Sequence, residues 1–260
     1  MTELKNTPQL KSFKVLLIGD TCIDEYIVGS VDRLSPEAPV PIIKVLYKNL
    51  VPGMSSNVCL NLKALGIDPD FVTNKEHMIK SRFIDQRSGQ HLLRVDDEPA
   101  ISAWDGRTPN PINEYDCVII SDYNKGFLTY ESIEKIIAQA SGPVFIDTKK
   151  TDLSRFRGAY IKINELEYGN STSLCDNMIV TMGGTGALLK TNGYEKLFST
   201  TPADVVDVCG CGDTFLSALA YKFLMTDNIE DAIIFANRAA GLTVQHQGNY
   251  APTLNEILHA

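Results

Sequence analysis

The sequence predicts an α/β protein: a mostly parallel central sheet covered by helices on both faces, with a small β appendage. Three observations lead there. From residue 116 onward, short β-rich apolar runs alternate with amphipathic helical patterns, as in a doubly covered parallel sheet. The first strong element, "FKVLLIGD" (13–20), is almost unbroken apolar sequence, as a strand buried on both sides must be. Residues 25–49 alternate β-formers but carry three prolines, which confine strands to edges, so they belong to a separate small sheet.

The remaining elements follow in order. "SSNVCLNLKALG" (55–66) starts with Ser and Asn, has apolar residues at helical spacing and stops at Gly66, which predicts a helix. "SRFIDQRSGQHLLRVDDE" (81–98) is a hairpin turning at Ser88-Gly89. "DCVIISD" (116–122), "GPVFID" (142–147) and "AYIKIN" (159–164) are strands, and "TYESIEKIIAQA" (129–140) is an amphipathic helix. "NMIVTMG" (177–183), "GALLKT" (186–191) and "EKLFST" (195–200) are strands, the last two joined by an Asn192-Gly193 turn. "GDTFLSALAYKFLM" (212–225) and "IEDAIIFANRAAGLTVQ" (229–245) are helices. No repeat or linker interrupts the pattern, so residues 1–260 are expected to form a single domain, with 1–12 as a polar tail or surface arm.

Composition bounds the function. Of 260 residues, 44% are hydrophobic and 22% charged, an ordinary soluble balance. No apolar run nears the roughly 20 residues of a bilayer span, and the polar N-terminus lacks the apolar centre of a secretory signal, so a cytoplasmic protein is expected. A net charge of −8 argues against nucleic-acid binding but leaves room for a small anionic substrate. The six cysteines are scattered without a CxxC pair, as expected of reduced thiols. Four isolated histidines supply no zinc motif.

In sheets of this kind, ligands bind at the carboxyl ends of the strands. Several strands here end in polar or glycine-bearing groups: Asp20 to Asp24, Ser121-Asp122, Asp147 to Lys149, Asn164 to Glu167, and Thr181 to Gly186. One further stretch, "VVDVCGCGDTFLSAL" (205–219), carries more chemistry than any of them. Gly210 and Gly212 let the backbone turn sharply and present successive N–H groups at the positive end of a helix, which suits an anion. Asp213 sits in that helix's first turn and has two readings. It is either a helix cap or the base that takes a proton during phosphoryl transfer. The loop is neither a Walker A motif nor a dinucleotide fingerprint. Cys209 and Cys211, one residue apart, are poorly placed for a disulfide and supply only two metal ligands.

"DVCGCGDTFLSAL" resembles the D-x-x-G-A-G-D signature of the ribokinase-like carbohydrate kinases. "GDTCIDEYIVG", "RLSPEAPVPIIKV", "SDYNKG", "IDTKKTDLSRFRG" and "NELEYG" resemble further motifs of that superfamily, all in the right order. The likeness is greatest to the kinase domains that phosphorylate D-glycero-D-manno-heptose 7-phosphate. The resemblance implies the ribokinase-like fold, with the 25–49 and 81–98 segments as a β-lid that covers the sugar and pairs two subunits. It implies an ATP- and Mg²⁺-dependent kinase in which Asp213 is the catalytic base and the amides of Gly210, Cys211 and Gly212 form the anion hole. On the sugar side it implies Asp24, Asp20, Asn57 and Lys149, with Asp20 as readily a turn cap. On the nucleotide side it implies Thr181, Gly183, Gly186 and Asn237, and for magnesium Asn164 and Glu167, largely through water.

The chain also departs from that pattern. Cys211 replaces the usual Ala, and Pro52 replaces the first Gly of a sugar-side pair, removing an N–H. About thirty residues, a helix and a strand, are lacking between Gly66 and Lys80, and another helix is lacking after Glu167. No H-x-G-H motif of the adenylyltransferase domain that often follows this kinase occurs. A kinase for a different sugar, or a catalytically silent sugar- or nucleotide-binding relative, stands beside the heptose reading.

Overall fold

Val15–Gly19 (β1) is buried at every residue, and its side chains alternate between two cores: Val15 and Leu17 enter one, Leu16 and Ile18 the other. That alternation makes this strand the spine of the molecule. The fold is described from a computed structural model over residues 12–260, so the expected tail lies outside the described residues except for Ser12. The strands that follow are Thr21–Leu34 (β2), Pro41–Met54 (β3), Asp70–Thr73 (β4), Ile79–Asp85 (β5), His91–Asp97 (β6) and Cys117–Asp122 (β7). Then come Val144–Thr148 (β8), Tyr160–Asn164 (β9), Asn177–Thr181 (β10), Ala187–Thr191 (β11) and Tyr194–Phe198 (β12). The helices are Ser55–Ala64 (α1), Tyr130–Gln139 (α2), Glu165–Asn170 (α3), Cys211–Thr226 (α4), Ile229–Thr243 (α5) and Leu254–His259 (α6).

The main sheet has eight strands in the order β12-β11-β10-β9-β8-β7-β1-β4. From β4 through β10 all pairs are parallel, and the β10–β11–β12 meander is antiparallel. Asn192 and Gly193 both take positive φ, as the expected two-residue turn requires. One face carries α1, α4, α5 and α6, whose Val58, Leu62, Leu216, Leu219, Ile233 and Ile257 share a core with the sheet. The other face has thinner cover. There α2 contributes Ile133 and Ile136, and irregular segments contribute Tyr115, Leu128, Leu153 and Phe156.

A second sheet, β3-β2-β5-β6, is the expected lid. Its strands span Thr21–Met54 and Ile79–Asp97, beyond the forecast segments at every end but the last, which falls one residue short. Pro36 and Pro39 sit in the tip between β2 and β3, and Pro41 opens β3, where a missing N–H costs least. Three short elements were not foreseen: β4, α3 and α6. Each is six residues or fewer, too short for periodicity to register.

Phe145 in β8 is fully buried and packs against Tyr160 (5.3 Å between ring centroids) and Phe223 (5.4 Å), tying two strands to α4. Phe145→Ala is expected to cost about 3–5 kcal/mol, read as a lower denaturant midpoint in equilibrium unfolding. A midpoint near wild type would mean that this aromatic cluster contributes little.

Candidate active site

Parallel register gathers the polar strand ends at one rim. Ser121 pairs with Asp147, Asp147 with Lys162, and Asn164 with Thr181 on adjacent strands. The start of α4 meets them there. Gly210, at φ +73°, is its left-handed N-cap, and no side chain caps the helix. A Cβ at Gly210 would sit 2.6 Å from Asn57 Nδ2 and 2.9 Å from Asn249 Oδ1, so both conformation and space demand glycine. The first amides of α4 have no acceptor within the helix, which leaves them for an anion. Cys211 N–H is partly engaged, donating a long 3.4 Å bond to Val208 O.

Asp213 does not cap the helix. Its carboxylate points sideways and accepts from Asn57 Nδ2 (2.9 Å) and Tyr123 Oη (2.9 Å), one donor on each oxygen. Asn57 comes from α1, where Asn61 Nδ2 in turn donates to Asn57 O at 2.9 Å. Burial pushes the Asp213 carboxyl up to about 6; the Asn57 bond opposes this, Asp147 adds to it, and Lys162 and Tyr123 oppose it. A carboxylate just ionised at neutral pH, with two donors holding its orientation, suits proton abstraction.

Beneath the turn lies an ion pair absent from the sequence reading. Lys162 Nζ meets Asp147 Oδ2 at 2.6 Å, and both side chains are buried. Burial works to lower the Lys162 ammonium, but Asp147 outweighs it and holds it above its usual range. A Cβ on Gly212 would stand 2.9 Å from that Nζ.

A cleft of about 670 Å³ opens beside the turn. Thr181, Gly183, Gly186 and Asn237, the forecast nucleotide group, all line it, as do Asn164, Cys211 and Gly212. Thr200 to Ala203, Val205 and Val208 complete one wall; Thr201 to Ala203 carried no sequence signal. Asn237 is not on a helix surface: it is buried and donates to Phe198 O at 2.9 Å, fixing the end of β12.

On the lid side, Asp24 is buried and its Oδ1 accepts from Arg82 Nη1 at 2.5 Å. Gly53 permits this, since a Cβ there would collide with the Asp24 carboxylate and with Cys22 Sγ. The charges of Arg82 and Asp24 both act on Cys209. Asp20 follows the turn-capping alternative. It is fully buried, its Oδ2 accepts from Tyr123 N at 2.7 Å, and burial, then Asp122, raises its carboxyl. That bond holds the Tyr123 backbone in place.

Asn164 and Glu167 form a capping box at the start of α3: Glu167 N donates to Asn164 Oδ1 and Asn164 N to Glu167 Oε2, both at 2.9 Å. Glu167 Oε1 is bonded by Lys149 Nζ, whose ammonium also lies 5.3 Å from the Tyr123 ring centroid. Lys149 therefore sits at the rim, paired. Among the described residues no cluster of three or more His, Cys, Asp or Glu side chains could hold a metal directly. All six cysteines are free thiols. Among the described residues no helix is long and apolar enough to cross a membrane.

Sequence reasoning missed Tyr123, Asp147 and Lys162 as site residues. Tyr123 and Asp147 stand inside quoted motifs without an assigned role, and Lys162 looked like an ordinary polar position of a strand.

An amide turn, a buried carboxylate and an adjoining cleft stand together at one rim of the sheet, an arrangement suited to phosphoryl transfer. Comparison with known proteins agrees. Residues 129–256 match the pfkB family carbohydrate kinases. The chain is 31% identical over 303 aligned positions to the bifunctional protein HldE of a Nitratiruptor species, covering 94% of this chain and 64% of that protein. It therefore spans under two thirds of that relative's length. Its fold is similar to ribokinase from Thermotoga maritima (TM-score 0.73, 18% identity, 95% of this chain and 98% of that one). It is similar as well to Arabidopsis thaliana ribokinase complexed with ribose and ATP (TM-score 0.72, 16% identity, 96% and 98%). The chain is thus similar to the pfkB family of carbohydrate kinases over just under half of its length.

Because burial pushes the Asp213 carboxyl up to about 6, kcat/KM should fall as pH drops through that value, when the carboxylate takes up a proton. The Tyr123 bond favours the ionised form, so Tyr123→Phe should move the acid limb to higher pH. An acid limb at the same pH in both proteins would remove Asp213 as the titrating group.

Proposed function

We propose that this protein transfers the γ-phosphoryl of ATP to a hydroxyl of a sugar or sugar phosphate, with D-glycero-D-manno-heptose 7-phosphate, giving the 1,7-bisphosphate, as the leading substrate. The observation that carries the reading is the position of Asp213: a buried carboxylate oriented by Asn57 and Tyr123, one residue past the amide turn that borders the cleft. The sugar oxygen bonds to the γ-phosphorus as the bond to the leaving ADP oxygen breaks. The hydroxyl proton goes to Asp213, and ADP departs with the electron pair. The amides of Gly210 and Gly212, with a weaker contribution from Cys211, face the charge on the moving group.

Thr181, Gly183, Gly186 and Asn237 are assigned to the nucleotide cleft. Asp24 and Asn57 are assigned to sugar hydroxyls, and Lys149 to the phosphate rim. Bound Mg²⁺ would neutralise phosphate charge. Asn164 and Glu167 fit it through water only, because both Glu167 oxygens are already engaged. Among the basic residues, Arg155 is taken up by Glu131 and Glu134, and Arg94 pairs with Asp96. Arg82 and Lys80 share the lid face of Asp24 and are the better candidates for a distal substrate phosphate. Heptose is favoured by the motif likeness and the HldE relationship. A different sugar is favoured by the shortening between Gly66 and Lys80, beside the lid.

We take the chain as one kinase domain whose lid also pairs two subunits. The lid exposes Leu46, Leu50, Leu93 and Val95, an apolar surface suited to a second copy.

A coupled ADP-release screen across sugars and sugar phosphates tests the reaction and ranks the acceptors. Heptose 7-phosphate is expected to give the highest kcat/KM. Asp213→Asn should lower kcat by at least about 10²-fold, the range for losing a general base. Undiminished turnover in that variant would end the base assignment, and a higher kcat/KM for another sugar would replace the substrate.

A further inference from the structure

The nucleotide cleft poses an electrostatic problem. Among the described residues no lysine or arginine lines it, yet a nucleoside triphosphate brings several negative charges. Amide dipoles alone seldom carry that load, and phosphate-binding loops ordinarily add a fixed cation. The nearest candidates differ. Lys149 is at the rim and bonded to Glu167. Lys162 is buried directly under the turn: its Nζ lies 2.9 Å from where a Gly212 Cβ would be, and its charge acts on both Asp213 and Cys211.

We propose that Lys162, held by Asp147, is the fixed cation of the phosphoryl-transfer site, and that its ammonium stabilises the terminal phosphate of the bound nucleotide through the opening that Gly212 leaves. This rests on the kinase reading above and adds a residue to it.

Three features support the role. First, Gly212 lacks the Cβ that would stand between the ammonium and the helix entrance, so the charge acts at close range in a dry site. Second, Asp147 uses a single oxygen on Lys162 at 2.6 Å, and among the described residues no other hydrogen bond engages the ammonium. Lys150, by contrast, meets Asp122, Asn124 and the Leu128 carbonyl, and is fully occupied as a structural tie. A Lys162 donor is therefore available to a ligand. Third, a buried ion pair is a poor way to gain stability, since apolar pairs of similar volume commonly do as well. The negative charge of Asp147 also disfavours ionisation of Asp213, a cost that a purely structural tie would not require.

The test compares two binding constants and one rate. By calorimetry with Mg²⁺ present, the wild-type protein is expected to bind a non-hydrolysable ATP analogue more tightly than ADP. Lys162→Met should leave ADP affinity within about threefold and cut the analogue-over-ADP preference by about tenfold or more. It should also lower kcat by about 10²–10³-fold, the range for losing one preorganised transition-state contact. Lys162→Met strands Asp147 in the interior and risks misfolding, so Lys162→Met/Asp147→Leu serves as the second variant, with circular dichroism confirming its fold. Lys162→Arg keeps the charge and should restore part of the preference. If Lys162 only ties β8 to β9, the double variant will keep the wild-type preference and a kcat within about threefold, and the proposal is overturned. Asp213→Asn separates the two readings: it should lose turnover yet retain the analogue preference. Full turnover in Asp213→Asn sinks the base, whereas an unchanged preference in the Lys162 variants sinks the cation.

Discussion

The site depends on one buried carboxylate. Asp213 has been taken out of water, and the two donors that compensate it come from separate parts of the chain: Asn57 from α1 and Tyr123 from the loop after β7. Each donor is itself held. Asn61 fastens Asn57, and Asp20 fastens the Tyr123 backbone. A carboxylate with fewer partners would cost more to bury or would protonate at neutral pH. The packing of α1 against α4 and the close of β7 thus set the ionised state of this carboxylate as well as the fold.

The parallel sheet explains why so many polar groups meet. Strands running the same way deliver their last residues to the same edge, so Asp147, Lys162, Asn164 and Thr181 become neighbours without long loops. The cost is a rim crowded with charge in a dry setting. It is met by pairing: Lys162 with Asp147, Lys150 with Asp122, Lys149 with Glu167, Arg82 with Asp24. The first two pairs are deeply buried and the last two are nearer the surface, where a ligand can compete for them.

Much of this was legible in the chain. The alternation of strand and helix patterns after residue 116, and the proline-bearing lid segment, follow from burial and hydrogen-bond rules that act locally. Glycine at 210 could be read as a turn residue and Asp213 as either cap or base. Only the side chains of Asn57 and Tyr123 decide between those two, and they are 156 and 90 residues away in the chain. Lys162 was hidden for the same reason: its partner is on the neighbouring strand, and a lysine between two isoleucines looks solvent-facing until both faces of the sheet are covered. The N-x-x-E segment carried a local signal that went unused, the capping box that opens α3. Short elements such as β4 depend on a neighbour for their existence, and no periodicity can announce them.

One junction has a mechanical consequence. β3 runs into α1 with no connecting loop: Met54 ends the strand, takes φ 56°, and Ser55 begins the helix. Three residues further on, Asn57 donates to the Asp213 carboxylate. Strand and helix are thereby joined like the two arms of a rigid lever, with Met54 as fulcrum. Any shift of that strand is therefore carried directly to the side chain that orients Asp213.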